Sequence, residues 1–128
     1  MKQTLLIITA LMLIVGCSSP EPFNDEKLIK EDGLVYHPDT KELYSGDVFK
    51  KYLGGKTEYE GSYKDGKEDG KWTYWYENGQ KKSEITYKDG KRELYTEWHE
   101  NGQKRFEATF KDGELIEETR WDEDGNEY

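Results

Sequence analysis

Trp75-Tyr76-Glu77-Asn78-Gly79-Gln80-Lys81 returns 23 residues later as Trp98-His99-Glu100-Asn101-Gly102-Gln103-Lys104. After the same interval it returns again as Trp121-Asp122-Glu123-Asp124-Gly125-Asn126-Glu127. Between these blocks a second punctuation, Lys-Asp-Gly, recurs at Asp65-Gly66, Asp89-Gly90 and Asp112-Gly113. From Gly79 onward the turn glycines (Gly79, Gly90, Gly102, Gly113, Gly125) are 11, 12, 11 and 12 residues apart, and the runs between them are rich in Thr, Tyr, Trp, Phe and Ile. Asn-Gly and Asp-Gly between such runs signal hairpins, because the tight hairpin turns need positive φ. A fixed period of this kind marks a repeat array. The expected fold is all-β: an elongated single-layer antiparallel meander of about 23-residue β-hairpin repeats.

The odd period constrains the turns. Side chains alternate along a strand, so two-residue loops at both turns would throw equivalent residues onto opposite faces. One turn per repeat must hold an odd number of residues. With Asp-Gly as a two-residue turn and Glu-Asn-Gly as a three-residue loop, one face collects Thr73, Trp75, Ser83, Ile85, Tyr87, Leu94, Thr96, Trp98, Phe106, Ala108, Phe110, Leu115, Thr119 and Trp121. The other collects Lys82, Glu84, Glu93, Glu97, Arg105, Glu107, Glu118 and Arg120, with Tyr74, Tyr76 and Tyr95 among them. The 24-residue step from Lys64 to Lys88 implies a bulge near Glu68-Asp69-Gly70.

The amino terminus reads as an address. Lys2 precedes the apolar run Leu5–Val15, which ends at Gly16-Cys17-Ser18-Ser19. A spanning helix needs roughly 20 apolar residues and a secretory core about 7–15, so the run fits only the second. Ile14-Val15-Gly16-Cys17 resembles the lipobox of bacterial lipoproteins. The resemblance implies a signal peptide over 1–16, cleavage between Gly16 and Cys17, and acylation of Cys17, the chain's one Cys. A multiply acylated Cys anchors a domain stably, since each buried CH₂ contributes about 0.8 kcal/mol. The expected location is the cell envelope, lipid-anchored. Ser18 and Ser19, in place of an Asp, imply the outer membrane if the organism is Gram-negative. Residues 17–32 read as the lipidated Cys and a flexible tether, with the apolar pair Leu28-Ile29 left open as a first ordered turn. Residues 33–128 are the repeat domain.

Tyr-Glu-Asn-Gly-Gln-Lys-Lys (76–82) and Tyr-Lys-Asp-Gly-Lys (87–91) resemble the bacterial variant of the MORN repeat, over roughly 33–128. Gly33–Val48 looks like a degenerate opening unit. Leu53-Gly54-Gly55 departs from Glu-Asn-Gly, and Arg92-Glu93-Leu94 lacks a usual Gly. Members of that family are often exported lipoproteins, and many are labelled antitoxin components of toxin–antitoxin pairs. The resemblance therefore implies a repeat-based protein-interaction module, or alternatively an antitoxin neutralising a co-encoded toxin. An export signal suits only a toxin outside the cytoplasm.

Composition narrows the rest. The chain has 19 Lys+Arg and 28 Asp+Glu; removing 1–16 takes away Lys2 and leaves 18 − 28 = −10. Such a charge opposes nucleic-acid binding and direct docking on anionic lipid, and points to a basic or polar protein partner. No catalytic constellation emerges. His37 and His99 have no nucleophile near them in sequence, and the acidic residues are spread over every strand, so no carboxylate pair is singled out. Asp122–Glu127 superficially resembles a calcium loop but coincides in phase with the turns of the other repeats. Neither enzyme activity, metal nor cofactor is expected. The Trp75, Trp98, Trp121 stripe reads as core, with a ligand ladder as the alternative. Tyr74, Tyr76 and Tyr95, expected on the polar face, form the candidate interaction surface. Open sheet edges at both ends leave an end-to-end homo-oligomer as a further expectation.

Overall fold

The computed structural model describes residues 20–128. The signal peptide expected over 1–16 and the lipidation site Cys17 lie outside the described residues. The strands are β1 (Phe23–Asn24), β2 (Ile29–Glu31), β3 (Leu34–Tyr36), β4 (Gly46–Lys51), β5 (Thr57–Lys64), β6 (Lys67–Trp75), β7 (Lys81–Lys88), β8 (Lys91–Trp98), β9 (Lys104–Lys111) and β10 (Glu114–Arg120). Strands β4 to β10 follow one another as an antiparallel meander in chain order. β1 adds in parallel beside β4, and β2 and β3 form a separate hairpin. The expected open, single-layer repeat sheet is present.

Both turn types form as their sequences demand. At Asp65-Gly66, Asp89-Gly90 and Asp112-Gly113 both residues have positive φ, for example 48° and 74° at Asp89-Gly90, which gives two-residue hairpin loops. At the other end of the repeat, the Tyr76 N–H donates to Gln80 O (2.8 Å) and the Gly79 N–H to Tyr76 O (2.9 Å), closing a three-residue loop with Gly79 at φ 87°. The same pair of bonds closes His99–Gln103, Asp122–Asn126 and Tyr52–Lys56, so Leu53-Gly54-Gly55 substitutes without loss.

The face assignment is corrected. Each hairpin between β6 and β10 carries an extra residue: Tyr74 pairs Ser83 but Trp75 pairs Lys81, leaving Lys82 unopposed. Glu93, Arg105 and Ile116 are unopposed in the same way. Each bulge shifts the next strand by one, so the shifts cancel over a repeat but invert β6, β8 and β10 relative to expectation. The apolar face therefore carries Trp72 and Tyr74 beside Ile85 and Ser83, then Tyr95 and Glu97, then Ala108 and Phe106. Trp75, Trp98 and Trp121 leave the core and remain half-buried near the turns. The expected bulge near Gly70 is present, with Glu60 and Ser62 on β5 facing Thr73 and Asp69 on β6.

Large rings on this face lie against small neighbours. Trp72 (3% exposed) covers Gly61, its Nε1 donating to Ser62 O at 3.1 Å, and Tyr95 pairs with Ala108 (1% exposed). The outer ends of the repeats are tied by a ladder of side chains donating to tryptophan carbonyls: Tyr52 Oη to Trp75 O (2.6 Å), Tyr76 Oη to Trp98 O (3.0 Å), His99 Nε2 to Trp121 O (3.0 Å).

The described part of the expected tether is folded, not free. Phe23–Asn24 pairs with Val48–Phe49, a 3₁₀ turn follows at Asp25–Lys27, and the β2–β3 hairpin closes over the sheet. Leu28 and Val35 join Val48, Tyr63, Trp72 and Ile85 in one buried cluster, with Phe23 packed against it. These apolar residues are what hold the segment down. It is stitched by the Val35 N–H to Gly66 O (2.9 Å) and the Gly66 N–H to Tyr44 O (2.9 Å). A polar lock completes the cap: buried Asp25 accepts from Lys30 Nζ and Tyr59 Oη, both at 2.5 Å. One expected open edge is thus covered in part by β1. The other is β10, which has no further strand beyond it among the described residues and carries Glu114, Glu117 and Glu118, charges that resist pairing with a second copy.

Gly61→Ala forces a Cβ into the Trp72 indole and is expected to destabilise by about 1–3 kcal/mol. Gly54→Ala meets no atom within 4 Å and should stay within about 0.5 kcal/mol. Urea unfolding of the two variants checks this. Burial, with the hydrogen bond to Asp25, pushes ionisation of Tyr59 far above the ordinary value of 10.0; burial and the Asp25 charge do the same to Tyr63. Folding thus favours the neutral phenols, a contribution complete below pH 10 that fades as pH rises beyond it. The urea midpoint should hold to about pH 10 and then fall. Tyr59→Phe, with no proton to lose there, should shrink the alkaline decline.

Candidate functional site

The cap belongs to one buried cluster with Val48, Tyr63, Trp72 and Ile85, at the β4–β7 end of the apolar face. Across β6 to β9 the half-buried Tyr74, Tyr95 and Phe106 lie in rows with the buried Ser83, Ile85 and Ala108. A shallow depression of 290 Å³ is lined by Tyr74, Lys82, Ser83, Ile85, Arg92 and Tyr95. A neighbouring one of 190 Å³ is lined by Glu97, Arg105, Phe106, Arg120 and Tyr128.

Of the three tyrosines singled out from sequence, the structure brings two together. Tyr74 and Tyr95 share the first depression, but on the apolar face and half-buried. The Tyr74 ring lies 5.3 Å from Tyr59, and burial, with weaker repulsion from Tyr87 and Glu68, pushes its hydroxyl up to about 12. Tyr95 packs 5.7 Å from Phe106 and donates to Glu97 Oε2 at 2.9 Å; burial first, then that bond, pushes it up to about 12 as well. Tyr76 belongs elsewhere: its hydroxyl is a rung of the inter-repeat ladder, and the Lys82 ammonium stands 5.7 Å from its ring.

The sequence reading missed the cations. Lys82 and Arg105 are the bulge residues, 23 positions apart, and their extra-residue status turns them toward the depressions. Arg105 pairs with Glu97 at 2.9 Å. Arg120 stands 4.7 Å over the Phe106 ring and 3.4 Å from Glu118. Among the described residues neither Lys82 nor Arg92 has a carboxylate within 4.0 Å. The period in which Lys82 and Arg105 recur was visible; the bulge that re-aims them was not.

The opposite face is chemically satisfied in place. Glu60, Thr73, Glu84, Thr96, Glu107 and Thr119 form one row in register across six strands. Glu84 is held by Lys71 (3.0 Å) and Lys81 (2.5 Å); burial pushes its carboxyl up, but the two ammonium groups outweigh it and hold ionisation below the usual range. Lys104 pairs with Glu107 at 2.8 Å, and Lys81 and Lys104 cover the Trp98 and Trp121 rings at 5.1 and 5.3 Å. A groove of 570 Å³ at the β4–β6 end is bounded by Phe49, Glu60 and Lys71, and there Ser62 Oγ donates to Asp47 Oδ1.

The remaining candidates resolve into structural roles. His37 lies 5.3 Å from Phe23 and accepts from the Asp39 N–H at 3.2 Å, while His99 is a ladder rung. Asp122 Oδ1 accepts from the Asp124 and Asn126 N–H groups (3.0 and 2.8 Å), so the calcium-like loop engages its leading carboxylate in its own turn.

Residues 68–89 and 94–112 match the family model described as the MORN repeat variant, and the two matches fall on β6–β7 and β8–β9, which supply most of the lining of the two depressions. No curated protein and no solved structure matches the chain. The central part of the chain, with Tyr74, Lys82, Ile85, Tyr95, Arg105 and Phe106 of the candidate site, is thus similar to MORN repeat variant units.

Proposed function

We propose that the protein is an envelope-anchored lipoprotein that acts as a non-catalytic, repeat-based protein-interaction module, and that the uncapped half of its apolar face is the docking surface. The observation that carries this reading is the half-covered face. The cap buries the aromatic rows over β4–β6 and leaves Tyr74, Tyr95 and Phe106 half-buried among exposed Lys82, Arg92, Arg105 and Arg120. Tyr and Arg are the residue types that dominate protein interfaces. The match to repeat units supports the same reading, since stacked repeats present extended surfaces.

The apolar run Leu5–Val15 ending at Gly16-Cys17 supports the anchor. Phe23 is six residues after Cys17, a chain reach of at most roughly 20 Å. An acylated Cys17 would therefore hold the capped end of the sheet close to the membrane and leave the β7–β10 surface to face outward.

Metabolic labelling with a fatty-acid analogue, together with membrane fractionation, should label the wild type and place it at the membrane, with both lost in Cys17→Ala. Full-length, unlabelled protein in the cytosol would overturn the anchor and make the antitoxin reading the leading one. A photo-crosslinking residue at position 92 should trap a protein partner in intact cells, whereas one at position 86, on the opposite face of β7, should not. Equal yields at the two positions would remove the docking surface.

A further inference from the structure

We propose that the docking surface takes an acidic, extended segment of the partner, one whose carboxylates recur about every third residue. This rests on the interaction reading above and adds the partner's chemistry. The chain beyond residue 16 carries −10, and a uniform distribution of that charge would select a basic partner. The distribution is not uniform. The open half of the apolar face gathers Lys82, Arg92, Arg105 and Arg120 against Glu97 and Glu118, so it is positive where the molecule is negative.

The carboxylates on this face are already engaged, Glu97 by Arg105 and Tyr95, Glu118 by Arg120. Lys82 and Arg92 lack such partners among the described residues, in contrast to Lys71, Lys81 and Lys104 on the opposite face. They flank a depression with Ile85 and Ser83 in its lining and Tyr74 and Tyr95 beside them. Such a site accepts an apolar side chain bracketed by carboxylates, which would pair two cations that have no carboxylate of their own among the described residues.

The spacing selects an extended ligand. Lys82 and Arg105 hold equivalent positions two strands apart, about 9.5 Å at the usual strand separation. A polyproline-type segment rises about 3.1 Å per residue with three residues per turn, so side chains three apart share one side at about 9.3 Å. A segment crossing the strands can thus offer one carboxylate to Lys82 and the next to the Arg105 guanidinium, whose Nη1 is on Glu97 and whose other donors remain.

The test uses the full-length chain in nonionic detergent and dye-labelled Pro-rich peptides with Glu, or Lys, at every third position, read by fluorescence anisotropy. The Glu peptide should bind about tenfold or more tightly than the Lys peptide, and less well as salt rises. The double variant Lys82→Glu/Arg92→Glu should reverse that preference, an outcome that mere unfolding cannot produce, and Lys64→Glu should leave it unchanged. Equal binding of the two peptides, or a preference retained by the double variant, overturns the proposal. So does binding to phosphatidylserine vesicles in place of peptide. If crosslinking from position 92, where the probe already replaces Arg92, still traps a partner when Lys82 is also changed to Glu, the acidic-segment proposal fails while the interaction module stands. If no crosslink forms even in the wild type, the module itself falls.

Discussion

The indole of Trp72 lies over Gly61, where no side chain stands between ring and backbone. A single-layer sheet has no second sheet to supply an interior, so its apolar burial has to come from rings laid sideways across neighbouring strands. That works only where the neighbour is small. Gly61 beneath Trp72 and Ala108 beside Tyr95 are the two places where the sheet meets this condition most fully, and they are two repeats apart along the same face. The bulges serve this arrangement. Without the unopposed Lys82 and Glu93, the strands carrying Trp72 and Tyr95 would turn those rings to the opposite face and set Lys71 and Leu94 against Ile85.

The cap answers the same need at the first strands. There the rings of Tyr59, Tyr63 and Trp72 are closed over by Leu28 and Val35 from the amino-terminal segment, and the Asp25 carboxylate fixes that segment to Tyr59. Farther along the array the ring positions thin out. Trp72 is followed at its repeat position by Tyr95 and then Glu118, and Tyr74 by Glu97 and then Arg120. Structure is concentrated where the cap sits, and polar function has room where it does not.

Much of this was legible in the sequence. The turn chemistry of Asp-Gly and Glu-Asn-Gly dictated the meander and the loop lengths, because positive φ is a local demand that few residues meet, and the one 24-residue step dictated the bulge near Gly70. The faces were not legible. A one-residue bulge is marked by no special residue type (Lys82, Glu93, Arg105 and Ile116 have little in common), yet it reverses every side chain that follows. Counting alternation from the turns therefore assigned Trp75 and Trp98 to the core in place of Trp72 and Tyr95. The tether was misjudged for a related reason. Phe23, Leu28 and Val35 are too far apart in sequence to show a pattern, and only the sheet beneath gathers them. Tyr76 looked like an exposed anchor because the carbonyl it serves belongs to the next repeat.

The ladder from Tyr52, Tyr76 and His99 to the tryptophan carbonyls has a metric side. Each rung reaches from one repeat to the next, so the array advances by a fixed step of two strand spacings, about 9.5 Å. One end of the sheet is occupied by the cap and cannot accept another unit in register; each successive repeat adds at the other. The molecule is in effect a gauge with a fixed zero, and duplication or deletion of one 23-residue unit would move its far edge by a whole graduation while leaving the origin and the turns unchanged.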